Sequence, residues 1–269
     1  MRTIIGRWQV EPANVLKEIA SQVAGCKQCQ LSFSRKKAVP GEGPADAEIM
    51  LIGEGPGFYE NEQGRPFVGA AGQFLDELLQ KAGVSRKDVF ITNVVKCRPP
   101  GNRDPMPEEL AACNAYLERQ IEAINPLVIV TLGRFSMAKF LPNVLISHVH
   151  GRPSWAKGRL IVPMFHPAAA LHQPSLKASV LSDFARLPEW IEQARQNREK
   201  MAQRQAAGPA APPEPEEKAP QEADSHSIQP ENAQPSLFQG GFNFEAAVKK
   251  EEAPEETDKK NKPTQLSLF

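Results

Sequence analysis

Residues 48–57 read Glu48-Ile-Met-Leu-Ile-Gly53-Glu-Gly-Pro-Gly57. The first half is a nearly unbroken apolar run, and the second half, GEGPG, is rich in glycine. An unbroken run, as opposed to an alternating one, belongs to a strand covered on both faces, as in a parallel sheet. Glycines directly after a strand permit positive φ and close backbone approach, so the pair reads as a strand feeding either a binding turn or a plain strand–helix turn. Three further runs share this character: Asp88–Val95 (DVFITNVV), Leu127–Gly133 (LVIVTLG) and Arg159–Phe165 (RLIVPMF). Helical patterns fall around them, at roughly 12–24, 71–82, 107–123, 134–140 and 175–200. Pro107 suits the first turn of one of these, with Glu108 and Glu109 near the positive helix end. Strands alternating with helices predict an α/β fold: a three-layer α/β/α sandwich around a four-stranded, mostly parallel sheet.

In such sheets ligands sit beyond the carboxyl ends of the strands. The residues with chemistry to offer follow those ends: GEGPG after the first strand, Asn93–Cys97 at the second and His166-Pro167 after the fourth. Asn93 carries both a donor and an acceptor. His166 is able to donate a hydrogen bond to developing negative charge, or to serve as an ordinary loop histidine. Phe67, in the glycine-bounded GRPFVG, is placed either to stack on a base or to plug the core. The chain contains neither the GxGxxG dinucleotide fingerprint nor a GK[ST] phosphate loop.

Four cysteines, Cys26, Cys29, Cys97 and Cys113, are all the chain has. One Cys-x-x-Cys pair plus two distant cysteines fifteen residues apart is a four-thiolate ligand set, suited to an iron–sulfur cluster or to zinc. No apolar run approaches the ~18 residues of a membrane span, and the start of the sequence lacks the apolar segment of a secretory signal. A cytoplasmic protein without a membrane partner is therefore expected, where paired thiols more often bind metal than form disulfides.

The formal net charge of zero conceals a division. Residues 205–269 hold twelve acidic residues and six lysines, a net −6, which leaves +6 on residues 1–204. A basic body with an acidic tail suits a polyanion binder, as it also suits an ordinary soluble enzyme. The sequence thus divides into a folded domain, 1–204, and a tail, 205–269, too rich in Pro, Ala, Glu and Ser to bury a core and expected to be disordered.

Together, GEGPG, QGRPFVGAAGQFLDELL, ITNVVKCRPPGNRDP and HPAAAL resemble the family 4 (type-4) uracil-DNA glycosylases, iron–sulfur members of the uracil-DNA glycosylase superfamily. The resemblance covers roughly residues 15–190. It implies that the protein flips uracil out of double- or single-stranded DNA and hydrolyses its glycosidic bond in base-excision repair, near the bacterial nucleoid and as a monomer. It implies that Cys26, Cys29, Cys97 and Cys113 hold a structural [4Fe–4S] cluster. Phe67 would stack on the everted uracil, Asn93 would pair with its N3–H and O4, and Glu60 would crowd C5 against thymine's methyl. Glu54, Gly55 and Pro56 would line the pocket and water site, with Glu54 positioning the water where relatives of other families use an aspartate at the place of Gly55. His166 would stabilise the departing base through O2. The family's apolar wedge is expected four residues after the histidine, at Ala170, with Leu171 next to it; His172 stands where relatives often carry arginine. ISHVHGRP, with His148 and His150, lacks the basic insertion of uracil-trapping relatives.

The terminal Gln265-Leu266-Ser267-Leu268-Phe269 resembles the pentapeptide with which bacterial repair proteins bind the replication sliding clamp, and Gln234–Phe238 (QPSLF) is a degenerate copy. Two other readings are compatible with the residues: a clamp-tethered, DNA-binding iron–sulfur protein whose site is inactive or takes another deaminated base, and a zinc-stabilised α/β hydrolase unrelated to DNA.

Overall fold

The computed structural model describes residues 11–206. The 205–269 tail, with QPSLF and the terminal QLSLF, lies outside the described residues apart from its first two positions, which end the last helix. The described residues form five strands: β1 (Ile49–Gly53), β2 (Val89–Asn93), β3 (Val128–Leu132), β4 (Ser154–Ala156) and β5 (Arg159–Met164). The helices are α1 (Pro12–Gly25), α2 (Leu31–Ser34), α3 (Phe58–Gln63), α4 (Ala70–Lys81), α5 (Pro107–Ile124), α6 (Arg134–Ala138), α7 (Ile146–Val149), α8 (Pro167–His172), α9 (Lys177–Ala185) and α10 (Leu187–Ala206). No described helix is long and apolar enough to cross a membrane.

The sheet order is β2-β1-β3-β5-β4. Four strands are parallel, as expected, and the fifth, β4, adds an antiparallel edge that the sequence did not predict. Alternate residues of each strand face opposite layers. Ile49, Leu51, Val89, Ile91, Val130 and Val162 pack with α4, α9 and α10; Met50, Ile52, Phe90, Ile129 and Ile161 pack with α5. This double burial is why the strands read as continuous apolar runs, and it gives the three-layer sandwich. The free edge of β2 is covered by the loop before β1, where Glu42 and Ile91 exchange backbone hydrogen bonds of 2.9 and 2.8 Å.

The order also fixes where a ligand site belongs. From β1 the chain crosses to β2 on one side, then to β3 on the other, so the direction of winding reverses between β1 and β3. At such a switch point the loops leaving neighbouring strands diverge and open a crevice at their carboxyl ends.

Candidate active site

That crevice is a cavity of about 410 Å³. Glu54, Gly55, Pro56, Glu60, Phe67, Asn93 and His166, the seven residues singled out from the sequence, all line it. Three separate stretches of chain therefore meet at one place. Pro99, Asn102 and Arg103 of the loop after β2, and Ala168, Ala169 and His172 of α8, complete the wall. They went unnamed as pocket residues, although the carboxyl-end rule that located Asn93 and His166 applies to both of their segments.

Asn93 closes β2 and is 2% exposed. Its Oδ1 has no hydrogen-bond partner. The space before it exists because residue 53 is glycine: a Cβ there would lie 2.4 Å from Asn93 Oδ1 and 2.8 Å from the Phe67 ring. An unpaired buried amide oxygen costs about 1–3 kcal/mol, so its retention at the base of a cavity points to a ligand donor.

Phe67 has φ of +51°, an unfavourable conformation for an aromatic residue. Three features hold it. Arg86 donates from Nη1 to the Phe67 carbonyl (3.1 Å) and from Nη2 to that of Pro66 (2.7 Å), and pairs with Asp76 at 2.8 Å. Gly72, in the first turn of α4, lets the helix lie against this backbone, since a Cβ there would be 1.9 Å from the Phe67 oxygen. Glu60 Oε1 accepts from Val68 N and Gly69 N at 2.9 and 3.0 Å, tying the loop to the end of α3. Glu60 is thus fixed in the wall by its own hydrogen bonds.

His166 is the N-cap of α8, where its Nδ1 accepts from Ala168 N at 3.1 Å. With Nδ1 occupied as an acceptor, the proton of the neutral ring sits on Nε2. Burial pushes the imidazole down to about 4, against a smaller opposing pull from Glu60, so near neutral pH the ring is uncharged and Nε2–H is a donor. The ring stacks near Phe67, centroids 5.5 Å apart and planes 26° from parallel. Glu54 has its carboxyl pushed up by burial and by the negative Asp104, with Arg134 opposing.

Cys26, Cys29, Cys97 and Cys113 are not joined by disulfides and share one apolar cluster with Ile19, Val23, Leu31 and Tyr116. N–H groups are directed at sulfur: Gln28 N at Cys26 (3.5 Å), Lys96 N at Cys113 (3.4 Å) and the Arg35 guanidinium at Cys97 (3.2 Å). Burial raises the Cys97 thiol, and raises Cys113 to about 11. Among the described residues no three His, Cys, Asp or Glu side chains are arranged to hold a single metal ion. The donor set, four soft sulfurs with N–H donors aimed at them, nevertheless has the chemistry an iron–sulfur cluster requires. Between thiols and pocket lies Lys96, which is 1% exposed. Its ammonium donates to Thr92 Oγ1 (2.5 Å), Gln120 Oε1 (2.7 Å) and the Asn93 carbonyl (2.8 Å), and burial lowers it to about 7. Arg86 and Lys96 are supporting residues that sequence reasoning missed.

A strained aromatic, an unpaired amide and a neutral imidazole around a crevice at a sheet's switch point define an α/β protein built to hold a flat, polar-edged group. Residues 40–187 match the family model for the uracil DNA glycosylase superfamily. The type-4 uracil-DNA glycosylase of Archaeoglobus fulgidus is 46% identical over 184 residues, covering 65% of this chain and 92% of that protein. The type-4 enzyme of Thermotoga maritima is 47% identical over 182 residues, 65% of this chain and 95% of its own. The type-5 uracil-DNA glycosylase of Thermus thermophilus is 39% identical over 122 residues, 40% of this chain and 55% of its own. The chain belongs to the uracil-DNA glycosylase superfamily.

Proposed function

We propose that the protein is a uracil-DNA glycosylase of the type-4 kind, which everts uracil from DNA and hydrolyses its N-glycosidic bond to leave an abasic site. The observation that carries the reading is the buried, unpaired Oδ1 of Asn93 facing a cavity. Uracil N3–H supplies the missing donor, while O4 accepts from the amide nitrogen. Cytosine presents the reversed pattern along that edge and leaves the amide unmatched.

A base inside a duplex is beyond reach of any side chain, so it must be extruded, at a cost of a few kcal/mol. Phe67 offers the ring on which it stacks, and Glu60, held by two backbone amides, crowds the C5 position. As the C1′–N1 bond breaks, its electron pair passes to the base, and negative charge gathers on O2. His166 Nε2–H donates to that oxygen. A neutral donor is apt, since it stabilises the anion without protonating it. Glu54, whose raised pKa makes it a better base, orients water towards C1′ and takes its proton as the new C–O bond forms. The wedge that fills the vacated stack is Leu171: it is 46% exposed beside the cavity, whereas Ala170 is 4% exposed and packed in the core.

Cys26, Cys29, Cys97 and Cys113 would hold a [4Fe–4S] cluster, which when bound braces the loop after β2. Action as a monomer is part of the same proposal. The terminal Gln265–Phe269 is proposed, on its sequence, to bind the sliding clamp.

The test is excision from uracil-containing oligonucleotides, followed by alkaline cleavage at the abasic site. Asn93→Ala and His166→Ala should each slow cleavage by about 10²–10³-fold, the range for losing one preorganised donor, with the four-iron chromophore retained. No product from brown, iron-replete protein on single- or double-stranded substrate would end the reading.

A further inference from the structure

α3 carries two aromatic side chains that the core does not use. Phe58 is 53% exposed and Tyr59 is 58% exposed, and their rings meet edge to face at 5.4 Å and 85°. Single exposed apolar side chains are ordinary, but two large rings exposed side by side and in contact form a patch of the kind that marks an interaction site. Their position is informative. Gly55, Pro56 and Gly57, just before them, line the cavity. Phe58 leans on the loop after β2, where the Arg98 guanidinium lies 5.3 Å from its ring centroid and Arg98 Nε donates to Asn102 Oδ1 at 2.8 Å. Tyr59 leans the other way, its ring 3.3 Å from where a Cβ on Gly69 would be. Asn102 and Phe67, from those two loops, are themselves cavity residues. The aromatic pair therefore forms part of the rim, continuous with the pocket.

We propose that Phe58, backed by Arg98 and flanked by Tyr59, is a second stacking subsite that takes the nucleobase next to the everted uracil. This rests on the glycosylase reading and extends it to the neighbouring nucleotide. The nucleotides on either side of a base seated in the cavity are tethered within one backbone repeat of its mouth. Every base has a π-face, so an aromatic ring there serves any sequence. The guanidinium lies over the Phe58 ring, 53% of the side chain stays exposed for a base to meet, and the charge favours the adjoining phosphate. Such a subsite matters most on single strands and frayed duplexes, where the neighbouring base has lost its own stacking partner.

The experiment is a double-perturbation cycle on single-stranded oligonucleotides with one uracil. The neighbouring base on the 5′ or 3′ side is either present or replaced by a stable abasic analogue, and each substrate is presented to wild type, Phe58→Ala, Phe58→Leu and Phe58→Trp. With wild type, removing the neighbour on the stacked side should raise KM by at least about fivefold, the lower end of base–aromatic stacking. Phe58→Ala should raise KM on the complete substrate by a similar factor, the loss falling on KM and not on kcat, and should make removal of the neighbour inconsequential. Phe58→Trp should restore KM and Phe58→Leu should not. Unchanged KM in Phe58→Ala, or effects of variant and missing base that simply multiply, would overturn the subsite while leaving uracil excision intact. Failure of the wild type to excise uracil would instead bring down the glycosylase reading.

Discussion

An imidazole in water is half protonated near pH 6.5, and at pH 6 such a histidine would enter the pocket mostly as a cation. His166 does not, because burial holds it at about 4 and Ala168 N fixes its tautomer. The consequence for stability follows by linkage. Between pH 6.5 and 4 the unfolded chain takes up a proton at this site that the folded chain refuses. Stability from His166 is therefore complete above 6.5 and is lost as the pH falls towards 4. Its ring resonances should accordingly titrate with a midpoint near pH 4 in nuclear magnetic resonance, and the advantage of wild type over His166→Asn in denaturant unfolding should shrink across that window. A midpoint near 6.5 would show that burial does not depress the ring, and that the neutral donor is lost below that pH. At this scale Asn93, Phe67 and His166 were legible because each ends a strand or sits in a glycine-bounded loop. Lys96 and Arg86 were not. A charged residue reads as solvated, and what buries Lys96 is Gln120 on a helix 24 residues away, while Arg86 reaches carbonyls about 20 residues back.

The elements were read from periodicity, and they succeed or fail with its length. Four doubly buried strands gave unmistakable apolar runs. β4, three residues with half-exposed and exposed side chains, is too short to show any period. The single helix expected over 175–200 is two, α9 and α10, parting at Arg186. A signal for that break was present in Leu187-Pro188, since proline disfavours helix in the residue before it and suits the first turn of a new one. The start of α4 makes the sharpest demand on sequence. Replacing an interior helical glycine by alanine ordinarily stabilises a helix by roughly 0.5–1 kcal/mol. At Gly72 the sign reverses, because the new methyl would meet the Phe67 carbonyl at 1.9 Å and backbone is unable to swing aside. Gly72→Ala should shift the Phe67 turn, lower excision by at least about tenfold and reduce thermal stability, with total helix content by circular dichroism unchanged. Full activity in that variant would show that the stacking ring does not depend on the φ of +51°.

For the molecule as a whole, the charge division legible in the sequence and the site described in the structure assign different tasks to different stretches. Residues 11–206 contain every described residue of the cavity and all four thiols. Excision from a short oligonucleotide should need nothing beyond them. The clamp-binding role proposed for the terminal peptide would, by contrast, be a tether, raising the local concentration of the enzyme at clamp-loaded DNA without adding any contact to the base. Deleting Gln265–Phe269 separates the two tasks cleanly, because none of its five side chains is charged. The net charges of body and tail are unchanged, so phosphate contacts and the salt dependence of DNA binding should be unchanged as well. On naked oligonucleotides the truncated protein should match the full chain in rate and in its response to salt. On clamp-loaded DNA the clamp-dependent part of the rate should vanish. Replacing Leu237 and Phe238 by alanine should have little effect on clamp-dependent activity, since Pro235 replaces the first leucine of the motif in that copy. Undiminished clamp affinity after the deletion would refute the tether, and a changed salt response on naked DNA would show that the terminus acts on the nucleic acid itself.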